Sequence, residues 1–158
     1  MYNVKIKKVA PIQVATKKAS VPNFEDSGQT NVALFSNVRQ HILDNGIGLM
    51  GYDIALYHGI PGQTELALEA AIPVSQELPP ATGIEQTELP AVEEMAYVIH
   101  HGDYSTYHLA HIAIQTWMGE NGYAPAGAVR DVYLVFDVTG DSSQYVTELQ
   151  YPVQKLTP

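Results

Sequence analysis

The sequence predicts an α+β fold of two β-α-β-β modules. Together they form one continuous antiparallel sheet with both helices on one face. Three observations predict it: an internal repeat that spans the chain, a hydrophobic pattern that switches between strand and helix spacing within each copy, and a Pro- and Gly-bearing break between the copies.

Four landmarks recur in the same order. The alternating stretch Val4 to Lys18 matches Ile84 to His100. A helical stretch ending in Asp44-Asn45-Gly46 matches one ending in Glu120-Asn121-Gly122. Leu56-Tyr57-His58 matches Val132-Tyr133-Leu134, and Leu68-Glu69 before Pro73-Val74 matches Thr147-Glu148 before Pro152-Val153. The offset is 76 positions between Asn45 and Asn121 and between Tyr57 and Tyr133, and 79 between Glu69 and Glu148. The difference falls in the hairpin loops Gly59 to Gln63 and Thr139 to Ser143, where added length costs little closure entropy. The copies run over 1–75 and 84–158, one domain in all, and the linker 76–83 carries Pro79, Pro80 and Gly83, which break regular structure.

Within each copy the elements follow from spacing. Pro11 and Pro90 mark matched bends early in each half. Asn31 to Asn45 places Leu34, Phe35, Val38, Ile42 and Leu43 at helical spacing, with Gly46 as the stop. Thr106 to Glu120 does the same with Leu109, Ile112, Ala113, Trp117 and Met118, ending at Gly122. The strand pairs after each helix alternate with period two.

Composition bounds the function. At 158 residues and 46% hydrophobic content the chain can bury a core and is not disordered. Eight Lys and Arg against 17 Asp and Glu give a net charge of −9. That balance argues against direct nucleic-acid binding, which needs a basic face, and is compatible with a cationic partner. With no cysteine there is no disulfide, thiolate metal site or thiol nucleophile. No secretory signal and no membrane-length apolar stretch are present, so a cytoplasmic location without membrane partners is expected. No phosphate-binding glycine loop or nucleophile elbow occurs, and no cofactor is expected. His108 and His111 are spaced i, i+3 near His100-His101, but no second spaced pair completes a zinc set, so no metal is expected.

The alternation also proposes a binding face. Ile54 and Leu56, and Val132, Leu134 and Phe136, are expected under the helices. Asp53, Ala55 and Tyr57, and Asp131, Tyr133 and Val135, are expected on the uncovered side. In the following strands Leu66, Leu68, Ala70 and Ile72 form the apolar set, with Glu69 opposite between Ala67 and Ala71, and Glu148 sits with Val146 and Gln150. Each copy would then bring one tyrosine and one glutamate to the open face. A carboxylate in an apolar, tyrosine-walled cleft needs a countercharge. A ligand cation supplies it, and each ring adds about 0.5–2 kcal/mol of cation–π attraction. A solvent-facing strand glutamate needs no ligand at all, and it is the recurrence of the Tyr and Glu pair that favours a site. Basic residues are few and five are clustered before position 19, so no buried ion pair is expected for Glu148.

At these residues the sequence resembles the GyrI-like, or AraC-type, effector-binding domain family. The second half carries the resemblance best: Ile99-His100-His101-Gly102-Asp103-Tyr104, a helix with Trp117, Glu120-Asn121-Gly122-Tyr123-Ala124-Pro125-Ala126-Gly127, Asp131-Val132-Tyr133-Leu134 and Thr147-Glu148-Leu149-Gln150-Tyr151-Pro152-Val153. The first half departs from it where Ala19-Ser20-Val21-Pro22-Asn23-Phe24 replaces the glycine-tyrosine turn. The resemblance implies a pseudo-twofold antiparallel β-saddle of the two β-α-β-β modules, with a cavity between the repeats for amphipathic, drug-like cations and a buried strand glutamate as anchor. Glu148 matches that glutamate, Glu69 is its repeat partner, and Tyr104, Tyr133 and Trp117 fall where the family places aromatics. It implies a stand-alone sensor or sequestering module that a separate regulatory protein reads, since the sequence opens on the domain itself with no DNA reader expected. The alternatives implied are a hydrolase of reactive cyclopropane-bearing toxins and a gyrase-interacting inhibitor.

Overall fold

The structure, a computed structural model, describes residues 2–22, 27–59, 66–137 and 139–157. Asn23 and Phe24 of the departing first-half segment, and residues 60–63 of the first hairpin loop, lie outside the described residues. In chain order the elements are β1 (Lys5–Val9), β2 (Ile12–Val21), α1 (Ser27–Asp44), β3 (Ile54–Gly59), β4 (Leu66–Pro73), β5 (Glu85–Leu89), β6 (Val92–His101), α2 (Tyr107–Asn121), β7 (Tyr123–Pro125), β8 (Val129–Val135) and β9 (Val146–Lys155). The fold is α+β, as expected.

Two compact units emerge, 11–90 (the N-terminal unit) and 1–10 with 91–158 (the C-terminal unit). The N-terminal unit orders its strands β3-β4-β2-β5, and the C-terminal unit β1-β6-β9-β8 with β7 on β9. The ladders within each unit are antiparallel.

The alternating stretch Val4 to Lys18 is two strands, separated at Ala10 and Pro11, and its repeat is separated at Pro90 and Ala91. Proline has no N–H to give to a ladder, so the strand ends and the chain turns. The partner changes at the bend. β1 pairs with β6, and β5 pairs with β2, so each short strand joins the unit built mainly from the other copy.

Helix α1 buries Leu34, Phe35, Val38 and Ile42, while Leu43 is exposed. Helix α2 differs from the expected stripe. It buries Tyr107, Ala110, Ile114 and Met118, and leaves Leu109 and Ile112 46% and 51% exposed. Apolar residues lie on more than one side of this helix, so spacing alone does not choose the covered side. Its end is as expected: Gly122 takes the left-handed conformation at φ 74°, and its N–H bonds the Met118 carbonyl.

The buried side of α2 meets Ala96 and Val98 of β6 and Leu149, Tyr151 and Val153 of β9 in one apolar cluster. In the N-terminal unit, α1 lies on the side of Lys17 and Tyr57: Lys17 Nζ donates to Asn37 Oδ1 at 2.9 Å, and Asn31 Nδ2 donates to Tyr57 OH at 3.3 Å. These contacts fix which face of each sheet its helix covers.

Candidate functional site

Residues directly opposite in an antiparallel ladder share a face. In the C-terminal unit, Glu148 stands opposite Ile99 on β6 and Val132 on β8. Gln150 stands opposite Tyr97 and Arg130, and Lys7 opposite Met95. Glu148, Gln150, Tyr97, Arg130 and Lys7 therefore lie on the face away from α2. In the N-terminal unit, Glu69 stands opposite Lys18 and Leu56, away from α1. The strand alternation thus places both glutamates correctly.

The tyrosines fall elsewhere. Tyr57 stands opposite Leu68, and Tyr133 opposite Thr147, which puts both on the helix-covered faces. Ile54, Leu56 and Val132 take the glutamate side instead. Alternation sorts a strand into two sides, but the pairing register decides which side meets which, and a slip of one residue exchanges them. Burial could not decide it either, since Ile54, Ala55 and Leu56 are all buried.

Glu148 is 8% exposed, and it has partners. Lys7 Nζ lies 2.7 Å from Glu148 Oε2, and Gln150 Nε2 donates to the same oxygen. The Lys7 ammonium also sits 4.4 Å above the centre of the Tyr97 ring. The expectation that Glu148 has no ion-pair partner is therefore overturned. The reason is the strand exchange: β1 carries Lys7 onto β6, two places from the β9 glutamate in the sheet. Glu69, 6% exposed, instead meets His58, whose Nε2 lies 2.9 Å from Oε1.

The α2-covered side of the C-terminal unit holds a separate polar cluster. Tyr107 OH donates to the buried Asp131 carboxylate at 2.5 Å, and Tyr104 OH bonds Thr147 Oγ1 at 2.8 Å. Rings continue outward from Tyr107 through Tyr104 and Tyr145 to Phe136 and Tyr133, with centroids 4.6–5.9 Å apart. Burial pushes the Tyr104 hydroxyl up to about 12, aided by the Asp131 charge and opposed by the Thr147 bond. Burial, then the adjacent Asp131 carboxylate, raises Tyr107 well above the ordinary phenol value. Both hydroxyls remain hydrogen-bond donors across the neutral range. Trp117 lies on α2, stacked on Tyr123 with centroids 4.9 Å apart, against the apolar cluster.

The structure thus brings Tyr104 and Tyr133 together with Asp131 and Tyr107, and keeps them on the opposite face of the sheet from Glu148. Tyr97 and Lys7, beside Glu148, were not singled out from the sequence. Tyr97 was signalled only by alternation with Met95 and Ile99. Lys7 carried no local signal, because its partner is more than 140 positions away. Among the described residues no group of three or more His, Asp or Glu side chains is placed to hold a metal ion, and no helix is long and apolar enough to cross a membrane.

The fold and the sequence have relatives. The chain is 25% identical to the EcmrR C-terminal domain, with a TM-score of 0.84 and coverage of 99% of both chains. It matches 58% of the longer EcmrR chain in an EcmrR–DNA complex. A hydrolase from Listeria innocua shares the fold at 9% identity and a TM-score of 0.66, covering 96% of this chain and 91% of that one. SAV2435, in a structure bound to tetraphenylphosphonium, shares it at 12% identity and 0.65, covering 96% and 94%. No curated protein matches the chain. A family model for the GyrI-like small molecule binding domain matches residues 2–154, nearly the whole chain. This protein belongs to the GyrI-like small molecule binding domain family.

Proposed function

We propose that this GyrI-like domain binds amphipathic organic cations on the Glu148 face of its C-terminal unit, as the effector-binding part of a regulatory system. The observation that carries the reading is the convergence on Lys7 Nζ: the Glu148 carboxylate at 2.7 Å and the Tyr97 ring at 4.4 Å. A carboxylate paired with a ring face is the chemistry that recognises an organic cation. The Gln150 amide steadies the carboxylate from the side. SAV2435, of the same fold, is a precedent for a lipophilic cation as ligand, and EcmrR, whose longer chain forms a complex with DNA, for a protein that carries such a domain. Glu69 with His58 is a second, weaker anchor in the other unit. Tyr104 and Tyr133, grouped around Asp131, act as packing and hydrogen-bonding groups behind the sheet, and Tyr57 does the same under α1. With net charge −9 the domain makes no nucleic-acid contact of its own, and a separate protein or segment reads its ligand state.

Titration with tetraphenylphosphonium and with neutral triphenylphosphine oxide tests this. Glu148→Gln should weaken the cation by about tenfold or more and the neutral compound hardly at all. Equal losses for both compounds, or none, contradict the reading.

One observation favours hydrolysis as a second reading. His58 is aligned by the Glu69 carboxylate, the arrangement of a general base. Turnover of a strained electrophile that disappears in His58→Gln, with cation binding intact, would establish it.

A further inference from the structure

The Glu148 site is not empty of positive charge: the protein's own ammonium stands in it. We infer that Lys7 is the specificity-determining residue of this site, an internal counter-ion that a ligand must displace. The inference rests on the cation-binding reading above.

The two partners are held very differently. Glu148 sits mid-way along β9, with β6 on one side and β8 on the other, and its carboxylate accepts from Gln150. It stays in place whatever occupies the site. Lys7 is on β1, the edge strand of its unit, next to an irregularity in the register between Lys7 and Val9. Its side chain is 38% exposed against 10% for Glu148. Four methylenes separate the ammonium from the backbone, so it can swing into water without breaking a ladder bond. The anchor is therefore fixed and the cation is exchangeable.

Charge dictates exchange rather than addition. A ligand cation seated on Glu148 beside the Lys7 ammonium would set two positive charges a few ångströms apart against one carboxylate, in a buried setting where repulsion is strong. Replacement keeps the charge balance.

Specificity follows from what a competitor must offer. A small alkylammonium brings the same group as Lys7 but lacks its high effective concentration, since Lys7 is tethered beside the site. It cannot compete. A bulky lipophilic cation adds apolar burial that a lysine side chain does not have, and can win. Lys7 thus screens out small amines and admits large organic cations.

The test compares wild type with Lys7→Ala, Glu148→Gln and the double variant, using tetraphenylphosphonium by calorimetry and n-butylammonium by thermal shift. n-Butylammonium is the lysine side chain as a free molecule. Removing Lys7 should tighten tetraphenylphosphonium by about tenfold or more. It should also let n-butylammonium raise the melting temperature of Lys7→Ala, with no such effect on wild type. Adding Glu148→Gln should abolish both gains. If Lys7→Ala binds tetraphenylphosphonium no tighter than wild type while Glu148→Gln still weakens it, the Lys7 inference is wrong and the anchor reading stands. If Glu148→Gln changes nothing, both fall. Should Lys7→Ala fold poorly, the wild-type protein supplies the answer. Acylation of Lys7, measured by mass spectrometry against the exposed Lys5 and Lys8, should accelerate when tetraphenylphosphonium saturates the site. An unchanged Lys7 rate overturns displacement.

Discussion

The two units present a glutamate at matched positions, each buried and away from its helix, yet each glutamate meets a different partner. In the C-terminal unit Glu148 meets the Lys7 ammonium, from a strand that originates in the other copy. In the N-terminal unit Glu69 meets the His58 imidazole, from the adjacent hairpin strand. The helix-covered faces differ too. Asp131 lies there in the C-terminal unit, accepting from Tyr107, whereas Ala55 stands 76 positions earlier and Tyr57 accepts from the Asn31 amide. A duplication carries over a carboxylate more readily than its partner, because the partner comes from a neighbouring strand whose sequence is free to differ. The result is one buried glutamate beside a lysine ammonium and one beside a histidine ring.

The largest effect expected from this comparison is on the helix-covered side. Tyr107→Phe removes a short bond to a buried carboxylate and should cost about 2–3 kcal/mol of stability. Tyr57→Phe removes a longer bond to a neutral amide and should cost about 1 kcal/mol or less. Chemical denaturation of both variants checks this. Equal losses would mean that the Asp131 cluster is no more demanding than its counterpart.

The ion pairs come next. Lys7→Met leaves Glu148 with a smaller set of partners. Because Lys7 is over a third exposed, the loss is reduced from the fully buried case to about 1–2 kcal/mol. Lys7→Met with Glu148→Gln should recover most of it. His58→Leu at neutral pH should cost about 0.5 kcal/mol or less, since the imidazole is half-exposed and charged only when protonated. A double-mutant cycle at each pair measures the coupling directly. A His58–Glu69 coupling at neutral pH as large as that of Lys7–Glu148 would remove the distinction between the two pairs.

Acid sensitivity separates the two units as well. Burial holds the His111 imidazole below its ordinary value, next to the Tyr151 hydroxyl. The unfolded chain therefore binds the proton more readily than the folded one. Stability from this group is full above the ordinary histidine value of about 6.5 and is lost as pH falls below it. Phe35, 76 positions earlier in α1, carries no such group. His111→Gln should flatten the acid side of the stability profile by about 1 kcal/mol or less, measured by denaturation at pH 5 and pH 8. A steeper acid loss in His111→Gln than in wild type would contradict the assignment.

Much of the fold was legible because it is written locally. The landmarks Asn45 and Asn121, the stops at Gly46 and Gly122, and the bends at Pro11 and Pro90 each act on the chain within a few residues. Glu69 was legible because β4 alternates clearly around Leu68; β9 carries bulk on both faces, and Glu148 was legible through its match to Glu69 in the repeat. What failed was non-local. The side chosen by β3 and β8 depends on the register against β4 and β9, so Tyr57 and Tyr133 were set on the wrong faces. The Lys7 contact depends on a strand changing units at a proline. The covered side of α2 is set by the sheet that receives it, which is why Leu109 and Ile112 are exposed while Ala110 and Ile114 are not. Asp131 and Tyr133 do share a face, as alternation requires, but it is the opposite one from Glu148.

On the proposed function, the ligand's positive centre belongs to the Glu148 face rather than to the tyrosine cluster behind the sheet. Co-crystallisation with tetraphenylarsonium tests it most directly, because anomalous scattering locates the arsenic without reference to the fit of the rings. An arsenic site beside Glu148 and Tyr97, with the Lys7 ammonium turned away, is the expected result. An arsenic site among Tyr104, Tyr107, Tyr133 and Asp131, with Lys7 still on Glu148, would contradict it.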